Sequence, residues 1–141
     1  MAAALEQPLT RFRLNPTDET RMTALSTFGA VLTFAIDLEA RLHDYYRAAG
    51  RADRAQEADK RRVKLERVRR ESVLEITLEA IEGLDAGDYA LNLNDTTAAG
   101  QQANERTAAR FYAAAAPKIN VREAQRVLER CGREHEDGAA G

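Results

Sequence analysis

Apolar residues recur along most of the chain at the three- and four-residue spacing of an α-helix. Asn15-Pro16-Thr17-Asp18 has the pattern of a helix start, with a capping residue, a proline and an acid in the expected order. Gly50, Gly83 and Pro117 are typical of helix ends. The pattern predicts an all-α fold with helices at about 16–49, 52–82, 95–116 and 121–137.

These helices divide the chain into an N-terminal arm at residues 1–14, a bundle at residues 15–137 and a tail at residues 138–141. Residues 84–94 are rich in Asp, Gly and Asn, which favour turns, and predict a long crossover between two helical hairpins. The arm does not have the pattern of a secretory signal, so a cytoplasmic location is expected. No apolar stretch has the length of a membrane span.

The second half of the chain repeats the first. Residues 39–49 align without a gap on residues 105–115, and residues 65–71 resemble residues 128–134. Such a repeat predicts two similar helical hairpins that place equivalent residues around one centre. The aligned pairs are Glu39 with Glu105, Tyr46 with Tyr112, and Glu71 with Glu134.

Each helix carries one carboxylate on the face where a simple bundle would have leucine. An isolated ionised carboxylate in a dry core is too costly to persist. Each must therefore be protonated, meet an arginine or bind a metal ion. The four residues are Glu39, Glu71, Glu105 and Glu134.

Composition narrows the possible partners. The net charge of −2 comes from 21 basic and 23 acidic side chains that are interspersed, so neither a nucleic acid nor a membrane surface is a predicted partner. The single cysteine, Cys131, excludes an internal disulfide bond and suits a reducing compartment. We expect it to fill core space as a small apolar residue.

At these positions the chain resembles the rubrerythrin-like branch of the ferritin-like superfamily, over about residues 20–137. The resemblance implies a four-helix bundle with one Glu on each of the first and third helices and Glu-x-x-His on each of the second and fourth. Glu39 and Glu105 resemble the lone glutamates. Each has a tyrosine seven residues later, which relatives often hydrogen-bond to a glutamate. Glu71 and Glu134 resemble the glutamates of the two motifs.

Both histidines of those motifs are replaced, by Leu74 and Asp137. Leucine cannot bind a metal, whereas aspartate is an oxygen ligand for hard cations. The resemblance then implies a degenerate centre for iron or manganese and, if the chain is an enzyme, a di-iron-type oxidoreductase. The expected ligands are Glu39, Glu71, Glu105, Glu134 and Asp137, with Tyr46, Tyr112 and His43 around them.

A second interpretation stays open beside the metal centre. The glutamates could instead pair with Arg67, Arg70, Arg133 or a tyrosine hydroxyl in a metal-free ferritin-like scaffold or interaction protein. His43 could be a substitute ligand or an ordinary hydrogen-bonded core residue. His135, close to the chain end, is expected to be exposed.

The first helix predicts association. Its apolar residues extend around more of the circumference than one hairpin can cover. We therefore expect at least a homodimer through the first and second helices, with a protein partner as a further option. The residues concerned are Phe28, Val31, Leu32, Phe34 and Ile36.

Overall fold

Four α-helices form two hairpins in the part of the chain that the structure describes. The computed structural model describes residues 24–72 and 80–141. The predicted all-helical fold is confirmed for these residues. The predicted N-terminal arm and the segment that contains Leu74 lie outside them. The helices are α1 (Phe28–Ala48), α2 (Ala52–Glu71), α3 (Ala98–Ala115) and α4 (Arg122–Ala140).

The first hairpin begins later and ends earlier than its sequence pattern predicts. Thr27 caps α1, since its Oγ1 accepts a hydrogen bond from the Ala30 amide at 3.0 Å. The segment before the cap pairs with the crossover, where the Leu25 amide donates to the Leu84 carbonyl. This pairing keeps residues 24–27 out of the helix that was predicted from residue 16. Likewise α2 ends at Glu71 rather than residue 82, and residues 80–82 are not helical.

Short connections place the helices of each hairpin side by side. Gly50, between α1 and α2, has a φ of +76°, a left-handed conformation that side-chain-bearing residues rarely adopt. A 3₁₀ turn, Ala116–Lys118, joins α3 to α4. The crossover contains a second 3₁₀ turn, Ala86–Tyr89. In contrast to the predicted tail, α4 continues as a helix through Ala140.

The core is mainly apolar and draws on all four helices. Phe111 is its aromatic centre, with ring centroids 4.8 Å from Phe34 and 5.5 Å from Tyr89. Much of the apolar surface of α1 is covered within the chain, because Phe28, Val31 and Leu32 are buried. The predicted homodimer therefore loses part of its basis and stays a prediction. Within the described residues, no helix is long and apolar enough to cross a membrane.

Candidate functional site: a buried ionic cluster

Each helix contributes one charged residue to the core, and the four side chains form what we call the buried cluster. Their exposed fractions are between 0 and 5%. Helical spacing directs them inward, as on α2, where Ala58, Arg61 and Leu65 lie along one buried stripe. The members are Glu39 on α1, Arg61 on α2, Glu105 on α3 and His135 on α4.

His135 bridges the two buried carboxylates. Its Nδ1 lies 2.8 Å from Oε1 of Glu105, and its Nε2 lies 2.8 Å from Oε2 of Glu39. Both ring nitrogens can donate to ionised carboxylates only when the imidazole is protonated. Burial by itself would lower the pKa of His135, but the charge of Glu39 and the two hydrogen bonds raise it to about 9. The bridge is therefore an imidazolium ion at neutral pH.

Arg61 supplies the second positive charge. Its Nε donates to Oε1 of Glu39 at 2.9 Å, and its Nη1 donates to Oε1 of Glu134 at 3.1 Å. Burial opposes ionisation of Glu39, yet the pKa of that carboxyl is lowered because His135 and Arg61 together outweigh burial. The pKa of Glu105 is lowered for a similar reason. Two cations thus balance two anions inside the buried cluster.

Two tyrosines complete the hydrogen bonding, and they do so across the hairpins. Tyr46 on α1 donates to Oε2 of Glu105 at 2.5 Å, whereas Tyr112 on α3 donates to Oε2 of Glu39 at 2.6 Å. The prediction that these tyrosines hydrogen-bond glutamates is confirmed. The Tyr112 ring also stacks on the imidazole of His135, with centroids 5.6 Å apart.

Of the other predicted ligands, Glu134 contacts the buried cluster through Arg61, whereas Glu71, Asp137 and His43 do not join it. Glu71 is exposed, because the buried stripe of α2 passes through Val68 and Ser72 instead. Asp137 is exposed as well, and the Glu134 side chain is 40% exposed where it meets Arg61. His43 does not join the cluster, since it bonds the exposed Asp44 on its own helix.

Three further expectations concern His135, the arginine partner of the glutamates and Cys131. His135 is fully buried instead of exposed, because α4 continues beyond it and holds it against α1 and α3. The arginine that pairs with the buried glutamate is Arg61, whereas the expected partners Arg67, Arg70 and Arg133 are exposed. Cys131 is buried and fills core space as expected, and burial raises the pKa of its thiol.

A cavity of about 430 Å³ opens beside the buried cluster, and we call it the α2–α4 cavity. Arg54 closes part of it by donating to the Gly138 carbonyl at 3.1 Å and to the Tyr46 hydroxyl at 3.3 Å. Charged residues of both signs line the cavity. The basic residues are Arg54, Lys60, Arg61 and Lys64. The acidic residues are Glu57, Glu105, Glu134 and Asp137.

The polar groups of the buried cluster are hydrogen-bonded to one another and to the two tyrosines. All four carboxylate oxygens of Glu39 and Glu105, and both nitrogens of His135, already have hydrogen-bond partners. Within residues 24–72 and 80–141, no group of three or more His, Cys, Asp or Glu residues is placed to hold a metal. The site keeps two buried carboxylates ionised.

Comparison with models of protein families, curated proteins and solved structures found no match to this chain.

Proposed function

We propose that the chain is a metal-free, ferritin-like four-helix bundle that works as a scaffold or binding protein. The observation that carries this proposal is the charge balance of the buried cluster. Arg61 and His135 provide two positive charges against Glu39 and Glu105, and the geometry of each contact is that of a charge-assisted hydrogen bond. A buried carboxylate that is paired in this way needs no metal ion to stay ionised.

The ferritin-like part of the proposal rests on Glu39 and Glu105. Both are buried at equivalent places of the two hairpins, and each accepts a hydrogen bond from the tyrosine of the other hairpin.

Such a cluster has a structural use in a scaffold. Glu39 is bonded by residues of α2, α3 and α4 at once, through Arg61, Tyr112 and His135. A pairing of the hairpins that moved His135 away would leave the buried Glu39 without that cation, which is strongly unfavourable. We therefore assign the buried cluster the role of fixing how the four helices pair.

The cytoplasm is a reducing compartment, and it therefore suits a protein with the buried free thiol of Cys131.

The metal-binding interpretation is the second candidate, and one observation favours it. Two carboxylates and an imidazole meet in the core, and all three are residue types that bind iron or manganese. Glu39, Glu105 and His135 would hold the ion. Bound iron would supply redox chemistry, which suits a role in iron or oxidant metabolism. Binding would have to release the His135 proton and bring a cation close to Arg61, which opposes it.

Anaerobic Fe(II) titration distinguishes the two candidates. Protein is purified without chelator or affinity metal, its metal content is measured, and thermal midpoints are recorded with and without Fe(II) for the wild type, Glu105→Gln and the exposed control Glu129→Gln. A metal-free bundle should show no iron-dependent rise in any of the three. If Fe(II) binds, a free Fe(II) concentration of 100 times its Kd would raise the unfolding free energy by about 2.7 kcal/mol. A rise that Glu105→Gln abolishes and Glu129→Gln retains would refute the metal-free proposal.

A further inference from the structure

Arg61 lies at the boundary between the buried cluster and the α2–α4 cavity. Its side chain is only 6% exposed, and one of its two carboxylate partners is the buried Glu39. The other partner, Glu134, is 40% exposed and lines the cavity. Because Glu134 is this exposed, its carboxylate can move from Arg61 into solvent. Arg61 then still has Glu39 as its partner, so no buried charge is unpaired. The outer side of Arg61 is therefore a position at which one oxyanion can replace another.

Further positive charges surround this position. Arg54 lines the cavity with a side chain that is 16% exposed, and Lys60 and Lys64 lie one helical turn apart on the same wall. Arginine groups offer paired N–H donors that match the oxygens of a carboxylate or phosphate, and lysines add point charges. Arg54 lies 4.0 Å from the Glu105 carboxylate, and Arg61 is bonded to Glu39 and Glu134, so Lys60 and Lys64 add the further positive charge to this wall.

The acidic lining residues offset only part of the positive charge of the α2 wall. Glu105 has one oxygen bonded to His135 and the other to Tyr46, so its charge is already compensated. Glu57 and Asp137 are exposed, where water screens them, although their charges still oppose an anion. Opposition of this kind favours weak binding, with a Kd on the order of 1 mM.

We propose that the α2–α4 cavity binds a small oxyanion, a carboxylate or a phosphate, which takes the place of Glu134 on Arg61. This site deepens the proposed function, since it rests on a centre whose positive charge comes from Arg61 and not from a metal. It names the ligand class of the binding protein. The exchange involves only hydrogen bonds and ion pairs, so no covalent bond is made or broken.

An NMR titration of ¹⁵N-labelled protein tests the site. Sodium phosphate and sodium acetate are added separately at constant ionic strength with a chelator present, and the Arg61 Nε–H resonance is followed. We expect a saturable shift with at least one of the two anions. Saturation by phosphate alone assigns the site to phosphate groups, whereas saturation by both assigns it to oxyanions in general. The proposal is overturned if neither anion saturates at about 20 times the expected Kd.

Two charge-matched pairs of variants locate the binding. Lys60→Gln/Lys64→Gln should weaken the anion by about tenfold, whereas Arg122→Gln/Arg126→Gln, which makes the same charge change away from the cavity, should not. Glu134→Gln removes the competing charge and should tighten binding by about threefold, unlike Glu129→Gln. Equal effects within either pair would refute the proposal. A positive iron titration would overturn the metal-free centre without changing these outcomes, so the two failures are distinguishable.

Discussion

Gly138 lies against the carboxylate of Glu105, so closely that a Cβ atom at position 138 would stand 2.6 Å from Oε1. The same glycine accepts a hydrogen bond from Arg54 through its carbonyl oxygen. The last turn of α4 therefore forms part of the wall of the buried cluster, although the sequence pattern assigned residue 138 to a tail. Only a residue without a side chain allows this approach.

Gly138→Ala should destabilise the protein, although alanine is the better helix former. The Glu105 carboxylate cannot move aside without breaking its bonds to His135 and Tyr46. Overpacking of this kind costs about 1–3 kcal/mol, which exceeds the helix preference of about 1 kcal/mol. Urea denaturation should show a net loss of unfolding free energy. The control is Gly29→Ala on α1, where an added Cβ meets no atom within 4 Å. It should be neutral or stabilising, and a loss equal to that of Gly138→Ala would contradict the steric account.

The spacing of apolar residues along the chain was sufficient to predict four helices and the buried positions of Glu39 and Glu105. It was not sufficient for Arg61, which lies within a dense run of charges on α2. An arginine on such a helix turns inward only because a carboxylate on another element meets it, and that contact is tertiary. His135 did carry a signal, since it continues the stripe of Leu128 and Cys131. Its predicted exposure rested on its closeness to the chain end and on placing the neighbouring Glu134 on the buried face.

Stability should fall as the pH rises from about 6.5 through about 9. The folded-state pKa of His135, about 9, lies above its ordinary value of 6.5, so the protonated bridge stabilises the native state fully below pH 6.5. That contribution disappears as the proton leaves. The change is on the order of 3 kcal/mol in unfolding free energy. Urea denaturation at a series of pH values measures it.

The charges that face His135 come from three elements, Glu39 on α1, Arg61 on α2 and Glu105 on α3. Arginine does not titrate in this range, and both glutamates have pKa values below the ordinary one, so the alkaline slope belongs to the histidine. His135→Gln should remove the slope along with part of the stability. A variant with the same slope as the wild type would show that another group titrates.

The two tyrosines should make similar contributions, because each donates to one buried glutamate. Tyr46→Phe and Tyr112→Phe leave the rings and remove only the hydroxyl groups. A hydrogen bond to a charged group contributes about 1.5–3 kcal/mol, so we expect losses in this range by urea denaturation. Tyr89→Phe is the control, since the Tyr89 ring packs edge-on against Phe111. It should cost well under half as much, and losses as large as those at the other two tyrosines would indicate a general effect of removing a hydroxyl.

Arg61 and Arg62 are neighbours on α2 whose replacement should have very different effects. Arg61→Met removes the cation that bonds the fully buried Glu39, whereas Arg62→Met breaks ion pairs with the partly exposed Asp59 and Glu66. Breaking a buried pair from one side costs about 3–5 kcal/mol, and exposed pairs contribute about 0–1 kcal/mol. Both variants change the net charge equally, so urea denaturation compares burial alone.

The double variant Arg61→Met/Glu39→Gln separates a lost attraction from the cost of a buried carboxylate that keeps only His135 as its cation. If the cost of Arg61→Met comes mainly from the charge left on Glu39, removing that charge as well should restore part of the stability. The Glu39→Gln single variant completes the cycle and yields the coupling energy of the pair. Additive losses, with no recovery in the double variant, would show that Arg61 stabilises the bundle through packing of its side chain and not through its charge.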